Sequence, residues 1–152
     1  MNGRKSHTAE LIAVGTELLL GSIANTDAQM ISQGLSELGI NVYYHTVVGD
    51  NPARLREAVA IARQRADILI TTGGLGPTCD DLTKVALAEA FGLALRYHEP
   101  SAERIRARFA AMGHEMTDNN YQQAMLPEGR ETALPPTPTG RPPAPGVGSA
   151  WT

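Results

Sequence analysis

The chain has 152 residues and a mass of 16.2 kDa, a length that supports one domain around a single core. Hydrophobic residues at 42%, charged residues at 19% and a net charge of -3 describe a globular chain without the excess of Lys and Arg that a general nucleic-acid-binding surface needs. One cysteine excludes an internal disulfide and a Cys-rich zinc site, and no apolar run reaches the roughly 18 residues that cross a bilayer.

The start, Met1-Asn2-Gly3-Arg4-Lys5-Ser6-His7, carries charge with no apolar core behind it. It does not read as a secretory signal, so the cytoplasm is the expected compartment and residues 1–8 are expected to be disordered. Leu11-Ile12-Ala13-Val14 is a continuous apolar run, as expected of a strand buried on both faces. A Gly-rich turn, Gly15 to Gly21, follows. Asn25, Thr26 or Asp27 can cap a helix whose inner face is Ala28, Ile31, Leu35 and Leu38, ended by Gly39. Val42 to Val48 is a second strand. Asn51-Pro52 opens a helix with Leu55, Ala58, Val59 and Ala62 on one face. Ile68-Leu69-Ile70-Thr71-Thr72 is a third strand, followed by the loop Gly73-Gly74-Leu75-Gly76-Pro77-Thr78. A helix from about Asp80 turns Leu82, Val85, Ala86 and Ala90 inward. Leu93 to Tyr97 suits a short edge strand. Pro100 to Ala111 suits a helix facing in with Ile105, Phe109 and Met112. Strand and helix alternate, which predicts a parallel sheet with helices on both faces.

Six of the ten prolines fall between Pro135 and Pro145. Proline lacks the amide donor that helices and interior strands need, so residues 9–133 read as the folded domain and 134–152 as an extended tail.

In open α/β sheets, ligands bind beyond the carboxyl ends of the strands. Two loops occupy that position: Gly15 to Asp27 after the first strand, and Thr71 to Thr83 after the third. Their glycines let backbone approach a ligand, and their amides can hold phosphate oxygens. The second loop is not a P-loop, because no Gly-Lys-Ser/Thr follows. It is not a dinucleotide fingerprint either, because Cys79 stands where a third glycine belongs. Asp80 and Asp81 lie at the start of the next helix, where a positive field favours anions. Two carboxylates there repel a bare phosphate, unless a divalent cation bridges the two. An Asp at a helix start is commonly just a cap, but a doubled Asp after three glycines exceeds what a cap requires. Asp50, after the second strand, also lies on this side and taken alone reads as a turn residue. Cys79 has no histidine near it in sequence, which disfavours a nucleophilic role. His7, His45, His98 and His114 show no ligand spacing, and Arg104, Arg106 and Arg108 read as a solvated helix face.

These loops carry a family resemblance. Gly15-Thr16-Glu17-Leu18-Leu19-Leu20-Gly21, Asn25-Thr26-Asp27 and Thr71-Thr72-Gly73-Gly74-Leu75-Gly76-Pro77-Thr78 with Asp80-Asp81-Leu82-Thr83 resemble the amino-terminal domain of the CinA (competence/damage-inducible) family. That domain belongs to the MoaB/Mog molybdopterin-binding superfamily. The resemblance spans about residues 9 to 134 and includes Pro127-Glu128-Gly129, which stands near the "Pro-Glu-Gly" that the family places before a strand. It implies a three-layer α/β/α fold with a mainly parallel sheet, incomplete here at the C-terminus. It also implies a pyrophosphatase that splits ADP-ribose into AMP and ribose 5-phosphate with a divalent cation (Mg, Mn or Co). Carried over by position, Thr72, Gly73, Gly74, Leu75, Gly76 and Thr78 form the phosphate loop. Asp81 and Asp50 match a pair of functional acids, and Asp80, Glu17, Asn25 and Asp27 match positions around the same pocket. Asp80 and Asp81 are the expected cation ligands, with Asp80, Asp81 and Asp50 the catalytic acids. The implied partner is a small-molecule, ADP-ribose-like nucleotide, with no nucleic acid or membrane, in a homo-oligomer. The alternatives are a molybdopterin-binding protein of molybdenum-cofactor synthesis and a non-catalytic remnant. Leu75, where the molybdenum branch has Thr, and the Pro77-Thr78 pair argue against the first of these.

After Leu134-Pro135 the family pattern is Asn-Pro-x-Gly-Thr-Ala-Pro-Gly, a strand and a closing helix, and this sequence departs from it. Pro136 to Gly146 can be encoded by codons whose other frame reads Asn-Pro-His-Gly-Thr-Ala-Pro-Gly. The expectation is therefore frameshifted translation beyond about Pro135, with loss of a central strand and a helix.

Overall fold

The computed structural model describes residues 6–74, 82–115 and 117–129. The proline-rich segment and the expected frameshift lie outside them. Three strands, β1 (Thr8–Val14), β2 (Asn41–Val48) and β3 (Ile68–Gly73), form a parallel sheet in the order β2-β1-β3. Helix α1 (Thr16–Leu19) and helix α2 (Thr26–Glu37) follow β1, and α3 (Pro52–Arg65) joins β2 to β3. Helix α4 (Leu82–Ala90) packs against α3.

Side chains along β1 alternate between two cores, because successive strand residues point to opposite faces. Ile12 and Val14 meet Val48, Leu55, Val59, Ala62 and Ala86 on the face covered by α3 and α4. Ala9 and Leu11 meet Ala28, Leu35 and Ile70 on the face covered by α2. Leu55 and Val59 are fully buried, and burying such side chains stabilises by about 2 kcal/mol each. This is the α/β/α layering the alternating pattern predicts.

Helix starts follow their caps. The Asn25 side chain accepts from the Ala28 amide, and Asn51 accepts from the Arg54 amide with Pro52 in the first turn. Both side chains satisfy amides that have no partner inside the helix.

Several expectations are corrected. The turn after β1 contains a helical turn, α1, because Leu20 N–H reaches Thr16 O. Ser6 and Thr8 are not loose: Asn41 donates to Ser6 Oγ, and Thr8 stands opposite Asn41 of β2 and donates to the Asp67 carboxylate. Leu38 is 75% exposed because it is the C-cap of α2, where the chain turns away at Gly39. Ala86 is buried and Leu82 and Ala90 pack on the same core as expected, but Val85 is 36% exposed, and Thr83, Lys84 and Ala88 are buried beside them. Leu95–Tyr97 (β4) does not join the main sheet; it pairs antiparallel with Met125–Pro127 (β5). Helix α5 (Glu99–Ala111) buries Ala102 and half-buries Ile105 and Phe109, but its C-cap Met112 is 53% exposed. Arg106 is not simply solvated, since it pairs with Glu99 and donates to the Tyr97 hydroxyl. A short helix, α6 (Asp118–Tyr121), and a 3-10 turn (Gln122–Ala124) lead into β5. Among the described residues no helix is long and apolar enough to cross a membrane.

Near the start of β1 a charge is buried. Glu10 accepts from Arg65 Nε and Nη2, both at 2.7 Å, and from Thr46 Oγ at 2.9 Å. The Arg65 guanidinium stacks 3.7 Å over the Tyr44 ring. The Arg65 hydrogen bonds hold the Glu10 carboxyl below its ordinary value against the opposing effect of burial. The folded pKa is thus lower than the unfolded one, about 4.3. Its stabilisation is complete above that value and fades as pH falls through the folded pKa. Thermal unfolding of wild type and Glu10→Gln should show a clear gap at pH 7 that narrows as pH falls below the ordinary carboxyl range. A gap that stays constant with pH would mean that the ionised carboxylate contributes nothing.

Candidate functional site

The order β2-β1-β3 sends the chain after β1 to one face of the sheet and the chain after β3 to the other. Their divergence lies beyond the carboxyl ends of β1 and β3, where such sheets have the crevice that takes a ligand. Backbone packs closely there. Gly73 and Gly74 have φ values of +78° and +65°, in the left-handed region. A Cβ at Gly73 would overlap the Val14 carbonyl oxygen, and one at Gly74 would overlap Thr83 Oγ. Thr83, at the start of α4, donates to the Gly73 carbonyl at 3.0 Å. The glycine pair is thus pinned between β1 and α4.

The turns after β1 and β2 are also joined. Thr16 donates to Asp50 Oδ2 through its amide (3.1 Å) and its hydroxyl (2.8 Å), and the Asp50 amide donates to Thr16 Oγ at 3.2 Å. Gly15 N–H donates to Val48 O at 2.9 Å. The Thr16 hydroxyl, then its amide, hold the Asp50 carboxyl below its ordinary value.

Of the sequence-predicted site residues, Thr72 is half-buried near the end of β3, with Gly73 and Gly74 beyond it. Glu17 folds its carboxylate back against Gly15. Asn25 caps α2, and Asp27 is exposed in the first turn of that helix. Leu75, Gly76, Thr78, Asp80 and Asp81 lie outside the described residues, as does Cys79. Among the described residues no three His, Cys, Asp or Glu side chains gather closely enough to hold a metal ion. The expected cation ligands Asp80 and Asp81 lie outside those residues.

Two site residues were not singled out from sequence. Thr16 and Thr83 fix the two walls, and Thr83 interrupts an otherwise apolar helix face, which is the available signal. Lys84, buried beside it, donates to the Gln122 carbonyl at 2.7 Å and ties α4 to the turn before β5.

Residues 10–141 match the family described as "Probable molybdopterin binding domain". A competence-damage inducible protein of Acetivibrio thermocellus is 58% identical over 121 residues, which is 80% of this chain and 29% of that protein. One from Bacillus cereus is 57% identical over the same shares. The chain thus spans 29% of the length of these relatives. The crystal structure of the protein CinA with unknown function from Thermoplasma acidophilum superposes with a TM-score of 0.70 at 30% identity. The match covers 86% of this chain and 78% of that one.

The crowding at Gly73 makes a graded prediction. Gly73→Ala combines a left-handed backbone with a clash against Val14 and should destabilise by about 3 kcal/mol. Gly39→Ala, at φ +72° but with open space around its Cβ, should cost about 1 kcal/mol. Chemical denaturation midpoints of the two variants test the ordering.

Proposed function

Because the chain belongs to the MoaB/Mog-like family of probable molybdopterin binding domains, in its CinA branch, we propose that it hydrolyses ADP-ribose to AMP and ribose 5-phosphate. The observation that carries this reading is the glycine pair Gly73–Gly74, pinned in left-handed backbone between β1 and α4 and continued in sequence by Asp80-Asp81. Bare backbone in such a turn can offer its amides to a diphosphate. Glu17 and Asp27 are exposed acids on the elements that follow β1, which supports a requirement for countercharge. In this reading Asp80 and Asp81 hold a divalent cation, Mg, Mn or Co. When bound, that ion neutralises the diphosphate and lowers the pKa of a water.

The remaining work falls to the chain. Gly73, Gly74, Leu75, Gly76 and Thr78 wrap one phosphate, and Thr72 sets where that loop leaves the sheet. Glu17, Asn25 and Asp27, on the α1–α2 side, face the sugar end. The oxygen of water bonds to one phosphorus and the bridging P–O bond breaks. One phosphate stays on adenosine and the other on ribose. A second reading, pterin binding, is favoured by the family description itself and uses the same crevice.

The test is incubation of the purified chain with ADP-ribose and each of the three cations, with AMP release measured. Turnover is expected, and Asp80→Asn with Asp81→Asn should lower it by roughly 100-fold without changing the circular dichroism spectrum. A folded chain that releases no AMP with any of the cations and instead binds a pterin overturns the reading in favour of the second.

A further inference from the structure

We propose that Asp50 is a positioning residue that acts through Thr16, latching the turn after β1 to the turn after β2. The contacts form a closed ring. Asp50 Oδ2 accepts both the amide and the hydroxyl of Thr16, and the same hydroxyl accepts the Asp50 amide. The single hydroxyl proton of Thr16 is thereby committed to Asp50, and Oδ2 has its lone pairs engaged. For Oδ2 to bind a cation or take a proton from water, it must first release Thr16.

The packing around the ring agrees. A Cβ at Gly49 would sit 3.2 Å from Leu19 Cδ1 and 3.4 Å from Thr16 Oγ, so α1 closes directly onto the β2 turn. Gly15, one residue before Thr16, is itself tied to Val48 O. It follows Val14, whose carbonyl limits the space at Gly73. The latch therefore sets one wall of the crevice relative to the other, and hydrogen bonds to a charged acceptor are strong enough to do this.

The kinetic arm of the test rests on the ADP-ribose reading; a second arm does not. In the first, Asp50→Asn keeps an acceptor for Thr16 and should retain turnover within about threefold, with the half-activating cation concentration unchanged. Asp50→Ala and Thr16→Val should each lower kcat about tenfold, the double variant should be no worse than either single one, and Thr16→Ser should restore wild-type behaviour. Asp50→Asn as damaging as Asp50→Ala, or a tenfold rise in the cation needed, overturns the proposal and makes Asp50 a direct participant. In the second arm, hydrogen exchange of the amides of residues 15–20 is followed in the 152-residue chain. Protection should fall equally in Asp50→Ala and Thr16→Val and persist in Asp50→Asn. Loss of protection in Asp50→Asn also overturns the latch. If the wild-type chain cleaves no ADP-ribose, the functional reading fails and exchange alone decides the latch.

Discussion

Where β1 and β3 end, backbone packs on backbone. The Val14 carbonyl leaves no room for a Cβ at Gly73, and the left-handed turn there admits glycine at little cost. That close approach dictates the layout of the crevice. It forces the chain to leave β3 as bare backbone, brings Gly74 under Thr83, and fixes where α4 begins. A side chain at Gly73 would push the strand ends apart and remove the surface on which the candidate chemistry depends.

The two apolar cores hold the faces of the sheet, whereas polar contacts hold its ends. At the carboxyl end Thr16 and Thr83 pin the turns on either side of the crevice. At the amino end Glu10 is 0% exposed, yet both of its oxygens are matched by Arg65 and one also by Thr46. A buried carboxylate without such partners would be costly. Here it ties the last turn of α3 to β1 and β2, and Tyr44 on the edge strand covers the guanidinium.

The β4–β5 ribbon joins the main body through different means. Apolar burial there is small, centred on Ala102, Ala124 and Leu126. Across to α4, Lys84 donates to the Gln122 carbonyl; within the ribbon region, His98 N–H donates to Ala124 O while its ring caps α5 by accepting the Ser101 amide. Lys84 stands next to Thr83, so one turn of α4 contacts both the β3 end and the turn that leads into β5. The helix that begins at the crevice thereby also organises the ribbon beside it.

The order of strands and helices was legible in the linear pattern. Leu11 to Val14 and Ile68 to Ile70 are apolar on both faces, Asn25 and Asn51 stand at helix starts, and Gly73-Gly74 marks the ligand side of the sheet. Periodicity and capping are local properties, so sequence alone determined them. It also determined the family, because the Gly-Gly-Leu-Gly-Pro-Thr string and its aspartates are contiguous. Only the tertiary structure decided that β4 pairs with β5 outside the main sheet, that Glu10 is buried with Arg65, and that Asp50 is bonded to Thr16. Each of these joins residues far apart in the chain: 55 positions separate Glu10 from Arg65, and 34 separate Thr16 from Asp50. A polar residue reads the same in sequence whether it faces water or a distant partner; only the fold brings the partner within hydrogen-bond reach.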